Sequence, residues 1–206
     1  IVFPLVFLIL LLVFRSLAAT ITPMIVTVTA VAAGLGLIYY VGSNMEISVF
    51  VTNSALMLGM GVGIDYSLFM VNRFRLELES DPDVNRAMGA AMRTSGHTVL
   101  FSGITVIAAM TALFVVNLPA IKAMAFGAVT VVVFAVLATL TLLPAVLVML
   151  GPRINKGRIR LPAFARGRGE RTSWWRKLAV SIMGKPTLYL AVSVAFMGVC
   201  ALPIGG

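Results

Sequence analysis

Charge is what this chain most conspicuously lacks. Only 11% of its 206 residues are charged, acidic residues number 7, and the mean hydropathy is +1.06. Soluble globular domains carry about 25% charged residues, so that class is excluded. Histidine and cysteine are nearly absent as well. The lone His97 and the lone Cys200 leave no Cys/His cluster of metal-ligand spacing. Cys200 lies in an apolar run and reads as a small packing residue. There is no Ser-His-acid set and no phosphate-binding loop, so the chain is not expected to be an enzyme or to need a cofactor.

What fills the chain instead is apolar, 60% of all residues. Six apolar segments stand out: Ile1 to Phe14, Leu17 to Val41, Ile47 to Asn72, Val99 to Leu118, Ala123 to Leu150 and Thr187 to Ile204. Most are near the roughly 20 residues that a helix needs to cross a bilayer core of roughly 30 Å. In lipid every backbone polar group needs an internal partner, and the lengths select helices over barrel strands. The expectation is an all-α membrane protein, a polytopic bundle of six membrane segments. The chain starts without Met inside an apolar run and stops just after another, so a piece of a longer membrane protein is expected.

The net charge of +9 is a topology signal. Arg15 lies between the first two segments, Arg73, Arg75, Arg86 and Arg93 between the third and fourth, and ten basic residues between Arg153 and Lys185. All of these fall on one side of an alternating path, leaving Lys122 on the other. The positive-inside rule places the basic side in the cytoplasm, which makes the chain a multi-pass protein of the cytoplasmic membrane with attraction to anionic lipid. No aromatic-interleaved basic groove accompanies the charge, so no nucleic-acid partner is expected.

Three regions follow: a helix bundle over 1–151, a basic linker over 152–186, and the sixth segment over 187–206. Within the bundle, Asp81 is the expected N-cap of an amphipathic surface helix near 82–94, with Pro82 at its first position, Asp83 in its first turn and Gly96 as its stop. His97 follows and reads as a polar interfacial contact. Within the linker, Thr172 or Ser173 can cap an interfacial helix near 173–184. Trp174 and Trp175 beside Arg176 and Lys177 would be its membrane anchors. Pro4, Pro23 and Pro144 are expected to kink or break their helices.

One acidic residue stands inside a membrane segment. Asp65 occurs in "GMGVGIDYSLFMVNRFR", residues 59 to 75. An ionised Asp at mid-helix costs roughly 2.5–3.5 kcal/mol on insertion scales, so it should face protein or a water-filled cavity. Gly61 lies one turn before it on the same face, and Asn72 two turns after. Gly59 and Gly63 form a small-xxx-small pair. Neighbouring helices are expected to approach closely around the acid and around Tyr66. Low-dielectric surroundings favour the neutral form of a carboxyl, and one that gains and loses a proton is the working part of a proton-coupled transporter. The alternative is a structural Asp held by one Ser or Thr. Arg73 lies about 12 Å along the helix from Asp65, so Arg73 and Arg75 read as anchors at the cytoplasmic boundary. Ser102 and Thr105 are candidates for a polar path, although membrane hydroxyls often bond back to their own helix.

This stretch resembles the fourth-helix signature of MMPL transporters, a branch of the resistance-nodulation-division superfamily. That signature is a glycine-led Asp-Tyr pair followed by an apolar stretch and an R-F-R-like end. "RTSGHTVLFSGITV", residues 93 to 106, and "LLPAVLVMLGPR", residues 142 to 153, resemble adjoining segments of the same family, with His97 where many relatives have Arg. The resemblance implies about twelve membrane helices in two related halves, of which this chain would span the second to the seventh. It implies export of lipids or other hydrophobic molecules driven by the proton gradient, with the proton as coupling ion. Asp65 and Tyr66 would be half of a proton relay whose partners lie in the missing second half of the same polypeptide. Oligomer or envelope-complex partners are possible within that frame. The competing readings are a sterol-sensing-like lipid-binding domain and a non-transporting scaffold of a cell-envelope complex.

Overall fold

The computed structural model describes residues 7–8, 10–11, 14, 16–42, 49–155 and 180–201. The first apolar segment falls mostly outside these residues. So do Arg15, most of the basic linker, Trp174, Trp175 and the start of the interfacial helix. The chain forms two units, 1–159 and 160–206.

The first unit is a helix bundle. Helix α1 spans Leu17–Gly42, α2 Val49–Ser80 and α3 Val84–Ala91. A π-helical turn, Met92–Gly96, leads into α4, His97–Ala112, and a short 3-10 turn follows at Leu113–Val115. Helix α5 spans Pro119–Leu140 and α6 Leu142–Leu150, with a 3-10 turn at Gly151–Asn155. Among the described residues four stretches are long and apolar enough to cross a membrane: Leu17–Gly42, Phe50–Ser80, Val84–Val115 and Pro119–Ile154. The architecture is an all-α membrane bundle. In the second unit, residues 180–184 are helical and α7 spans Pro186–Ala201, where Ser181 and Tyr189 share a 2.8 Å hydrogen bond.

Several boundaries differ from the expectation, each for a local reason. Helix α2 runs eight residues past Asn72, to Ser80. Charge ends a hydrophobic run but not a helix. Arg73 pairs with Glu77 one turn on at 2.6 Å, and Phe74 is fully buried, so the helix continues with one face packed. The N-cap of α3 is Asp83, not Asp81: its Oδ1 accepts from the backbone N–H groups of Asn85 (2.9 Å) and Arg86 (3.1 Å). Pro82 disfavours a helical Asp81, whose carboxylate instead accepts from the Asp83 N–H at 3.0 Å. Gly96 does not stop the helix. Its backbone is right-handed helical and the chain passes through it into α4. The surface helix is therefore continuous with a membrane span.

The prolines behave differently from one another. The assigned helix of α1 runs through Pro23 without interruption, with buried neighbours on the same element. Packed neighbours and nearby hydroxyls make such prolines tolerable in membrane helices. Pro144 cannot donate to the Leu140 carbonyl, and the helix breaks there, at Thr141 (φ −121°, ψ −63°).

Three apolar clusters hold the bundle. One, at the basic end, includes Phe14, Val26, Met70, Phe74, Met88, Leu143 and Ile154. The second joins Val31, Ile38, Val51, Ala55 and Val131. The third joins Val99, Val132 and Val136, with Tyr66 packed against it. Helix α5 is the shared partner, packing on α1, α2 and α4.

Candidate functional site

Two glycines set how α2 lies in the bundle. A methyl group at Gly59 would overlap the Val131 side chain of α5, and one at Gly63 would come within 2.7 Å of Thr27 Cγ2 on α1. The helices touch backbone to side chain at these points, so α2 is held against both neighbours. Gly61 differs from the expected packing role. It is exposed, and a methyl there would meet nothing within 4 Å. Two residues along a helix is 200°, so the face clamped by Gly59 and Gly63 is opposite the face that carries Gly61.

Asp65 lies on that open face, and the described bundle does not enclose it. With Met57, Gly61, Phe69, Asn72 and Leu76 it forms an exposed stripe at three- and four-residue spacing. Asp65 has no hydrogen-bond or ion-pair partner among the described residues. No described Ser or Thr holds it. Asn53 also lies among the exposed residues of α2. A span that turns its Asp and two Asn outward, away from its own bundle, carries polar groups that lipid would not accommodate cheaply.

Tyr66 turns the other way, into the interior. Its hydroxyl and Ser102 Oγ of α4 are 3.0 Å apart, and the ring packs with the Val132 and Val136 cluster. The structure thus brings Tyr66 and Ser102 together. It does not bring Thr105 to them: that hydroxyl donates to the Phe101 carbonyl of its own helix at 2.9 Å. Arg73 is occupied by Glu77, and Arg75 donates to the Phe14 carbonyl at 3.0 Å with its guanidinium 5.5 Å from the Phe14 ring centroid. His97 is exposed, 6.3 Å from the Phe101 ring, and no group of three metal-ligating side chains exists among the described residues.

Sequence reasoning missed a set of buried hydroxyls. Thr27 of α1, Ser67 of α2, Ser95 of the π-helical turn and Thr139 of α5 are buried with no hydrogen-bond partner for the side-chain oxygen. Thr27 is the residue that faces Gly63, and Ser67 adjoins Tyr66. For Ser67 the available signal was its place four residues along from the packing Gly63, on the same buried face.

The MMPL family model matches residues 1–189. The chain belongs to the MMPL family. It is similar to the "Mycolic acid-containing lipids exporter MmpL11" of Mycolicibacterium smegmatis, at 38% identity over 200 residues, 97% of this chain and 21% of that protein. It is 36% identical over 201 residues to the "Heme uptake protein MmpL11" of Mycobacterium tuberculosis, covering 97% of this chain and 21% of the relative. It is 27% identical over 226 residues to the "Trehalose monomycolate exporter MmpL3" of Mycolicibacterium smegmatis, covering 98% and 22%. The chain therefore spans about a fifth of the length of these curated relatives.

Proposed function

We propose that this chain is the first-half membrane core of a proton-driven exporter of lipids or other hydrophobic molecules. The observation that carries this reading is the placement of Asp65. A membrane-length helix presents one unpartnered carboxyl, between an open glycine and Asn72, on the face opposite its own packing contacts. The occupant of that face would be the second half of the same polypeptide, bringing its own relay pair. The relatives named as lipid exporters support a lipid-like cargo. The basic loops would lie on the cytoplasmic side.

Chemically, the carboxyl is the group whose charge can change inside the membrane. When ionised it favours a hydrated, open interface between the halves. When protonated it permits close apolar packing, because desolvating a neutral carboxyl is far cheaper than desolvating a carboxylate. Proton binding and helix packing are thereby coupled. Tyr66, tied to Ser102, would fix α2 against α4 and hold Asp65 at a constant rotation while the opposing half moves.

The test is Asp65→Asn in the full-length protein. Asn keeps the shape and removes the titratable group. Export measured in proteoliposomes under an imposed proton gradient should be lost while membrane insertion and thermal unfolding stay close to wild type. Wild-type export by this variant would refute the relay. Export that needs no proton gradient, or sterol binding with no proton requirement, would favour the other readings.

A further inference from the structure

The basic end of α2 forms a cavity that the proton relay does not use. It measures about 420 Å³ and lies between α2, α3 and the π-helical turn, lined by Arg73, Glu77, Arg86, Gly89, Arg93 and Thr94. Three guanidinium groups thus line it together with Glu77, and Asp81 and Asp83 stand beside Arg86. Two of the guanidinium groups are held in place. Arg73 is gripped by Glu77 at 2.6 Å, and Arg86 Nε sits 3.2 Å from Asp81 and 3.4 Å from Asp83. The third, Arg93, is exposed and has no partner among the described residues. Arg73 Nε is buried with no acceptor, a cationic donor left without the oxygen it would ordinarily meet. Gly89 is exposed on the cavity's lining, and a methyl there would meet nothing within 4 Å.

A second cavity, of about 300 Å³, shares Arg73 and Thr94 with the first. It is lined also by Phe69 and Leu76, both 49% exposed, and by Asn72 and Thr98. Phe69 lies one turn past Asp65, so this lobe points along the membrane span while the arginine lobe sits at its end.

We infer that the Arg73–Arg86–Arg93 cavity is a binding site for a phosphate group, that of an anionic phospholipid headgroup at the basic face of the membrane. Phosphate oxygens accept charge-assisted hydrogen bonds from guanidinium, and ordered arginines bind them with least loss of side-chain freedom. A soluble phosphate offers the same oxygens without the lipid. The site does not depend on Asp65, so it stands or falls apart from the relay.

The experiment is native mass spectrometry of the purified full-length protein titrated with dioleoyl phosphatidylglycerol, dioleoyl phosphatidylcholine or inorganic phosphate. The wild type should retain phosphatidylglycerol in preference to phosphatidylcholine. Arg93→Gln and Gly89→Leu should each weaken that retention about tenfold, one by removing a charged donor and the other by filling the cavity. Neither residue touches the Asp65 face, so thermal unfolding and proton-driven export in phosphatidylcholine should stay at wild-type levels and certify the fold. If inorganic phosphate displaces the lipid at equal concentration, with the same response to both variants, the site is upheld with a soluble phosphate as its source. Equal phosphatidylglycerol retention by the wild type and both variants overturns it.

Discussion

Three alanine substitutions at alternate positions of α2 should give three different outcomes, because the structure assigns each glycine a different surrounding. At Gly59 a new methyl would overlap Val131 Cγ1, lie 3.3 Å from Val131 Cβ and 3.0 Å from Val31 Cγ2. Rotating Val131 moves its Cγ atoms but not its Cβ, and Val131 is fully buried with stiff χ1. The clash is relieved only by separating α2 from α5. Overpacking of this kind costs about 1–3 kcal/mol, against a gain of about 1 kcal/mol from replacing Gly in a helix, and the upper half of the range applies. At Gly63 the methyl would lie 2.7 Å from Thr27 Cγ2 and 3.2 Å from its Oγ1. Thr27 Oγ1 has no hydrogen bond to lose, so a rotamer change relieves part of the clash. The net effect there is about 0–2 kcal/mol of destabilisation. At Gly61 nothing lies within reach among the described residues, and alanine brings only the helix-propensity gain of about 1 kcal/mol. The assay is thermal unfolding of each full-length variant in one detergent. Midpoints should fall most for Gly59→Ala and less for Gly63→Ala. Gly61→Ala should hold or rise. A Gly59→Ala protein that unfolds at the wild-type temperature would refute the packing argument.

Two further outcomes follow from single contacts. Tyr66→Phe and Ser102→Ala should each destabilise by about 0.5–1.5 kcal/mol, and the double variant by little more than one alone, since both delete the same 3.0 Å bond; a double-variant thermal-unfolding cycle measures this, and additive losses would mean that the hydroxyls act separately. Asp83 caps α3, and the Arg86 backbone N–H that it accepts holds its carboxyl below the usual carboxylate range. The stabilising contribution of the cap is therefore complete above the ordinary carboxylate range and is lost as pH falls through the lowered value. Hydrogen exchange at the Asn85 and Arg86 amides should speed up in Asp83→Ala but not in Asp81→Ala, and the reverse pattern would return the cap to Asp81.

Much of this molecule is legible along the chain because lipid enforces it. A span must be long, apolar and internally hydrogen-bonded wherever it sits. Hydropathy alone therefore places α1, most of α2 and α4 to α6, and the glycine-led Asp-Tyr pair marks the family. The acid also stands out on composition, since a carboxyl in an apolar run is expensive whatever surrounds it. Helix ends are a different matter. The extension of α2 to Ser80, the transfer of the cap from Asp81 to Asp83 and the passage through Gly96 rest on a few hydrogen bonds and one packed face. Such local terms are too small for a hydropathy profile to register. Rotation about the helix axis is the hardest property to read. Gly59, Gly61 and Gly63 look equivalent on paper, yet two are pressed against α1 and α5 while the third stands open beside Asp65. The apolar residues of a membrane helix are distributed around its whole circumference, so hydrophobicity does not say which side faces in. Steric fit between Gly59 and Val131 and between Gly63 and Thr27 decides it, and that fit exists only once three helices are in place.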